Sequence, residues 1–124
     1  MIKYIIALLF LVSPALAHDH AHPELDNWYT SLKRQDGFNC CSKNDCHPTE
    51  AEYRGEDVWA RAGMLKEDGS WELADYIKVP KNRIIYRDNL AGEPVICHSM
   101  VYNTDHTLNY MGISIYCYIP GWDN

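Results

Sequence analysis

The spacing of apolar residues in the first third of the chain predicts one amphipathic helix. Four apolar side chains recur at intervals of three and four positions, which places them on one helical face: Leu25, Trp28, Tyr29 and Leu32. Pro23 fits the first turn of such a helix, and Gly37 is the expected residue at its end. The helix therefore presents one apolar face to the rest of the domain.

The second half of the chain alternates apolar and polar residues, which is the pattern of half-buried strands. The predicted strands cover residues 58–64, 71–79, 84–87, 95–102 and 113–119, with turn residues between them. The last two form a hairpin whose loop is centred on Thr107. We expect an α+β fold, in which an N-terminal helix packs on a small antiparallel sheet or barrel stapled by disulfides.

An apolar segment precedes the helix and predicts export. Lys3 gives a positive start, residues 5–12 form an unbroken apolar run, and the sequence from Ala15 to Ala17 resembles a cleavage site. A membrane-spanning helix needs about 20 apolar residues, so this run is too short to be an anchor. We predict that residues 1–17 are a signal peptide and that residues 18–124 form one small periplasmic or secreted domain.

Five cysteines would enter an oxidising compartment under this prediction, so disulfide bonds are expected. Cys97 and Cys117 are equidistant from the centre of the hairpin loop and would lie opposite each other, which favours a bond between them. A bond from Cys41 to Cys46 would then close a short loop and leave Cys40 as the free thiol. The alternative is that Cys97 and Cys117 each bond to this N-terminal cysteine cluster and staple the two ends of the domain.

The new N-terminus predicted by cleavage is rich in histidine and has the donors of a metal site. Its amine, two amide nitrogens and the imidazole of His20 can form the planar set of four nitrogens that Cu(II) and Ni(II) prefer. Zinc is the third candidate, held by His18, His20, His22 and one further histidine. We expect residues 18–22 to form a flexible tail.

Two other arrangements of metal ligands are open from the sequence. In one, the amine and side chain of His18 bind copper together with a distant imidazole, either His98 or His106. In the other, thiolates bind the metal beside an imidazole, and the candidates are Cys40, Cys41, Cys46 and His47. The second arrangement lacks a CxxC pair, and an oxidising compartment favours disulfides over thiolates.

Charge and motif content argue against several classes of function. The chain has 17 acidic and 11 basic residues, for a net charge of −6, and no cluster of Lys and Arg. Such a domain repels phosphate backbones, so nucleic acid and anionic membrane surfaces are not expected partners. Cys97 and His98 are neighbours in a predicted strand and would point to opposite faces, which rules them out as a nucleophile and its base. We predict a protein that is not an enzyme.

A set of residues spread over most of the chain after the leader forms a recognisable pattern. Its members are His18, Trp28, Tyr29, Leu32, Gly37, Cys40, Cys41, Asp45, Cys46, Asp68, Gly69, Ser70, Trp71, Val79, Pro80, Cys97, Cys117 and Pro120. In these residues the chain resembles a family of short secreted proteins of Gram-negative bacteria of the rhizobial type. The resemblance implies export and shared disulfides, and it brings no activity with it.

Two functions of different classes follow from these observations. The first is a periplasmic or secreted protein that captures copper, nickel or zinc through His18, His20 and His22. The second is an envelope interaction module, in which a face of the sheet binds a protein or a glycan. Tyr116 and Tyr118 are the aromatic residues expected to form such a surface patch.

Overall fold

A computed structural model describes residues 23–41, 45–100 and 102–122 of the chain. A 3-10 turn at Pro23–Leu25 leads directly into the short helix α1 at Asp26–Ser31. The strands are β1 at Cys46–Pro48, β2 at Ala51–Arg54, β3 at Asp57–Leu65, β4 at Trp71–Lys78, β5 at Val95–His98 and β6 at Ile115–Ile119. Two further 3-10 turns lie at Lys81–Arg83 and Tyr110–Gly112.

The strands form two three-stranded antiparallel sheets. Sheet A has the order β1-β5-β6, and sheet B has the order β2-β3-β4. Sheet B is a meander, and each of its two turns contains a glycine, Gly55 or Gly69. Both turns require a positive φ, which glycine adopts without strain. The chain therefore makes the first strand of sheet A, builds the whole of sheet B, and then returns to complete sheet A.

Sheet A lies between α1 and sheet B, because successive residues of a strand point to opposite faces. On one face, Cys97 of β5 and Cys117 of β6 pack in a buried cluster with residues of α1. On the other face, Ile96 and Tyr118 pack in a second cluster with Val58 and other residues of sheet B. The sheet thus separates a cysteine-rich core from an inter-sheet core.

The α+β class is confirmed, and so are the principal strands. β3 and β4 cover the predicted segments 58–64 and 71–79 to within one residue at either end. Cys97 and Cys117 are direct cross-strand partners, as the centre of the predicted hairpin required. Regular alternation of apolar residues was therefore a sufficient signal for these strands.

Three predicted elements differ from the structure. The strand expected at 95–102 ends at His98. Residues 84–87 do not form a strand; Ile84 makes a single parallel bridge to Tyr118, and the N–H of Ile85 donates to the carbonyl of the same tyrosine. The helix ends at Ser31, and Gly37 has a φ of +84° in a tight turn that follows the helix. Gly37 is therefore a turn residue, because the chain has already left the helix before reaching it.

The favoured disulfide pattern is wrong, and the alternative is correct. The bonds join Cys40 to Cys117 and Cys46 to Cys97, and the buried Cys41 takes part in neither bond. The reason is the short strand β1, which is not among the predicted strands. β1 pairs with β5 on the side away from β6 and places Cys46 directly opposite Cys97. Cys97 therefore has a cysteine on each neighbouring strand, Cys46 on β1 and Cys117 on β6, and it bonds to Cys46.

The predicted signal peptide and the His-rich tail lie outside the described residues. Among the helices that are described, none has the length and apolar character needed to cross a membrane.

We expect disulfide mapping to find both long-range bonds. Digestion of the unreduced protein after Lys43, Arg87 and Tyr102 separates the cysteines, except for Cys40 and Cys41, and mass spectrometry should link the peptide of Cys46 to that of Cys97. A Cys41→Ser variant should keep both bonds, because its thiol takes part in neither. A peptide pair that joins the two arms of the hairpin would contradict the structure.

Candidate functional site: a buried histidine pair

Two histidines meet in the layer between the two sheets. His47 follows Cys46 in β1, and His98 follows Cys97 in β5, so strand alternation sends both imidazoles to the face opposite the disulfide. Both residues are 0% exposed. Histidine is uncommon at such depth, and a buried polar ring needs hydrogen-bond partners for its nitrogens.

The ring nitrogens of the pair contact two backbone carbonyls, one backbone N–H and each other. Nδ1 of His47 lies 2.7 Å from the carbonyl oxygen of Pro48, and Nδ1 of His98 lies 2.8 Å from that of Ser99. A carbonyl oxygen only accepts, so both Nδ1 atoms are the donors and both Nε2 atoms of neutral rings carry lone pairs. The two Nε2 atoms lie 2.9 Å apart, and the N–H of Gly63 approaches that of His98 at 3.2 Å. The N–H of Gly63 makes Nε2 of His98 an acceptor, and with both rings protonated at Nδ1 two lone pairs face each other across this distance.

Sheet B supplies the wall of the site. The indole of Trp71 stacks on the ring of His47, with the centroids 4.3 Å apart and the planes 26° from parallel. Gly63 of β3 lies so close to the pair that a Cβ atom there would be 2.9 Å from Nε2 of His47 and 3.0 Å from the Trp71 ring. The absence of a side chain at position 63 is thus the condition for the imidazole to reach its partner.

Both imidazoles are neutral at pH 7. Burial lowers the pKa of His47 to about 3, with a smaller contribution from the adjacent His98. Burial also lowers the pKa of His98. The neutral imidazole, with one nitrogen protonated and the other free, is the form that binds metal ions.

The arrangement matches that of histidines prepared to bind a metal ion. Histidine ligands generally donate their second ring N–H to a carbonyl or carboxylate, which fixes the ring and directs the free nitrogen. Two metal–nitrogen bonds of about 2.0–2.1 Å place the nitrogens roughly 2.9 Å apart at a right angle and roughly 3.3 Å apart at a tetrahedral angle. The observed Nε2 separation of 2.9 Å is therefore close to that of two ligands that bind one ion at a bent angle.

The cysteine cluster offers much weaker chemistry. Cys41, Asp45 and Cys46 bring their ligand atoms within 4.8 Å of one another, but Cys46 is bonded to Cys97. The remaining thiol, that of Cys41, is buried, and burial raises its pKa, so it stays protonated. The thiolate site considered from the sequence is not assembled, because Cys40 and Cys46 are both consumed by disulfides.

The structure places the histidines considered as metal ligands in different surroundings from those expected. His98, which was considered as a distant ligand for an N-terminal copper, pairs with His47, whereas His106 is exposed on a loop with a φ of +67°. The Cys-His dipeptide occurs twice, at 46–47 and 97–98, and this repetition was the available signal for the pair. Tyr118 is 1% exposed and contributes to the inter-sheet core, so it cannot belong to a surface patch.

Comparison with known proteins gives no further guide to this site, because no family model, curated protein or solved structure matches the chain. The geometry of its own residues is the basis for the function proposed below.

Replacing Gly63 with alanine should destabilise the protein through His47. The added Cβ would overlap the imidazole and the indole, and overpacking of this kind costs about 1–3 kcal/mol of unfolding free energy. In urea unfolding, the double variant Gly63→Ala/His47→Ala should lose less stability than the two single variants together. Strict additivity would show that the glycine and the imidazole do not interact.

The protonation pattern can be observed directly by NMR. In metal-free protein at pH 7, long-range ¹H–¹⁵N spectra should show His47 and His98 as neutral rings protonated at Nδ1, because each Nδ1 lies on a carbonyl oxygen. The exposed His106 is the internal comparison, since its tautomers interconvert freely in water. Detection of an Nε2–H on either buried ring would remove the basis of the proposed site.

Proposed function

We propose that this is an exported, non-enzymatic protein that binds a transition-metal ion, copper foremost, at the buried pair of His47 and His98. One observation carries the proposal: the two Nε2 atoms lie 2.9 Å apart while both Nδ1 atoms lie against backbone carbonyls. When both rings carry their proton on Nδ1, this contact is unfavourable without a cation between them. A bound ion would turn it into two coordinate bonds.

The donor set favours monovalent copper at the buried pair. Structural zinc sites take four ligands, and square-planar Cu(II) and Ni(II) also take four. Among the described residues, the single group of three or more ligand atoms is the cysteine cluster at Cys41, and no carboxylate or thiolate completes such a group around the two imidazoles. Cu(I), and Ag(I) as its stable analogue, accept two nitrogen donors without further ligands, in a linear arrangement. With metal–nitrogen bonds of about 2 Å, the two Nε2 atoms would move from 2.9 Å to roughly 4 Å apart.

The His-rich tail would have a complementary role. His18, His20 and His22, with the free amine, offer four nitrogens to Cu(II), whereas the buried pair offers two to Cu(I). The two sites would thus bind the two oxidation states separately: the tail would bind Cu(II), and the buried pair would bind copper that arrives already reduced as Cu(I). The proposal of a tail site still depends on cleavage after Ala17.

The absence of catalysis is part of the proposal. The imidazoles are fully buried between two sheets, and the thiol of Cys41 is held in its protonated form by burial. Two disulfides in so short a chain support a periplasmic or secreted location, because such bonds persist in oxidising compartments.

Silver titration tests the buried site separately from the tail. We would use a background variant with Cys41→Ser and with alanine at His18, His20 and His22, so that the competing thiol and tail are removed. One equivalent of Ag(I) should shift the Nε2 resonances of both buried histidines and split them by coupling to the silver nucleus. The melting temperature should rise, since ion at 100 times its Kd adds about 2.7 kcal/mol of stability.

Matched variants complete this experiment. In the same background, His98→Gln should abolish the silver coupling, whereas His106→Gln on the exposed loop should leave it unchanged. Competition against a chromophoric Cu(I) chelator, with ascorbate as a reductant that spares disulfides, should give the same order of variants. Unchanged Nε2 resonances at one equivalent of silver would refute the proposal, even if the intact tail binds Cu(II).

A further inference from the structure

Basic residues that are distant in the sequence gather along one groove of the folded domain. The groove has a volume of about 630 Å³, and four cationic side chains against one carboxylate, Asp36, line it. The cations are Lys33, Arg34, Lys81 and Arg83. The fold thus creates a positive surface on a chain whose net charge is −6 and whose sequence shows no basic cluster.

Much of this positive charge is available to a ligand. Arg34 is engaged by Asp36 through two hydrogen bonds, and Lys81 lies 3.9 Å from Glu56 in a loose pair in which both side chains are more than 70% exposed. Such an exposed pair contributes little and exchanges its partner readily. Within the described ranges, Lys33 and Arg83 make no salt bridge.

A second groove of about 450 Å³ continues from the first, and Tyr86 lines both. Besides the charged Arg87 and Asp88, its exposed side chains are large and apolar: Tyr86 is 82% exposed, Trp122 is 75% exposed and Leu90 is 60% exposed. A strip of positive charge therefore runs into a strip of exposed aromatic surface.

The loop beneath the aromatic strip is rigidly held by one buried side chain. The amide of Asn89 donates to the carbonyls of Glu93 and Pro120, and its oxygen accepts from the N–H groups of Ala91 and Gly92. All of these partners are backbone groups, so Asn89 fixes the path of the loop. Side chains carried on this loop gain a defined position before any ligand binds.

The same loop fixes the indole of Trp122. Its Nε1–H donates to the carbonyl of Asn89 at 2.7 Å, and its backbone N–H donates to the carbonyl of Gly92. A Cβ at Gly92 would lie 3.7 Å from the indole, so one face of the ring covers this glycine. The indole is an exposed platform of fixed orientation. A ligand that stacks on it therefore does not have to immobilise this side chain, which lowers the entropy cost of binding.

We propose that this continuous strip binds an acidic polysaccharide, with sugar rings stacked on Trp122 and Tyr86 and uronate carboxylates held by Lys33 and Arg83. The C–H face of a pyranose is apolar and packs on an aromatic face, while its hydroxyls remain in water. Carboxylates form charge-assisted hydrogen bonds with Arg and Lys. The strip offers both requirements side by side.

The chemistry of the strip favours this ligand over a nucleic acid or an acidic peptide. Duplex DNA carries one charge per about 1.7 Å, and the net charge of −6 repels so dense a polyanion, whereas carboxylates spaced one per sugar match a short positive groove. Protein partners bury an anchor side chain in a desolvated pocket. Here the aromatics stand out as platforms, and Trp122 is mostly exposed.

The probe for this proposal is an oligogalacturonate of defined length, measured by calorimetry on the complete secreted domain. The matched ligand control is the same oligosaccharide with its carboxylates methyl-esterified, which keeps the sugar rings and removes the charge. Trp122→Ala should weaken binding about tenfold or more, as expected for a central aromatic contact. The double variant Lys33→Gln/Arg83→Gln should weaken it to a similar extent and reduce its dependence on salt.

Control variants elsewhere on the surface separate a site from general charge. Lys66→Gln, in the exposed turn between β3 and β4, and Tyr102→Ala, an exposed aromatic outside the strip, should leave the affinity unchanged. Equal binding of the esterified oligosaccharide would overturn the proposal, as would failure to bind at millimolar ligand. Tighter binding of single-stranded DNA or of polyglutamate would assign the strip to another partner and equally reject it.

Discussion

The pairing of the three-residue strand β1 with β5 is the constraint on which both faces of the central sheet depend. It places Cys46 opposite Cys97 on one face, where they form a disulfide. The next residue of each strand must then point to the other face, and in both strands that residue is histidine. A single register thus decides both the covalent link on one side and the meeting of two imidazoles on the other.

Sheet B encloses the histidine pair that sheet A brings together. β3 passes over the imidazoles at Gly63, where its N–H reaches His98 and the lack of a side chain leaves room for His47. β4 adds the indole of Trp71, which excludes water from one side of the pair. The site is therefore built from strands of both sheets, and it requires them to be correctly stacked as well as correctly paired.

The sequence predicted the parts of this fold that have a period. β3 and β4 and the register of the hairpin followed from alternation and symmetry, since these signals extend over many residues. β1 could not be found in this way, because three residues are too few to show a period and one of them is Pro48. Its omission led to the wrong disulfide pattern and hid the partner of His98.

The basic groove could not be predicted from the sequence either, because its side chains come from segments that are far apart in the chain. Lys33 and Arg83 lie on either side of the whole of sheet B in the chain, yet they line one groove. The prediction that the chain lacks a basic cluster was correct for the linear order and incomplete for the folded surface. Charge patterning along a chain reports local runs, and only the topology shows which of them become neighbours.

The tight approach of Gly63 to His47 also constrains how this protein can change over evolutionary time. A substitution that adds bulk at position 63 is compatible with the fold only if position 47 becomes smaller or the indole at 71 moves aside. These three positions should therefore vary in concert among homologous chains, although they belong to three different strands. A lineage that kept histidine at 47 would be obliged to keep glycine at 63.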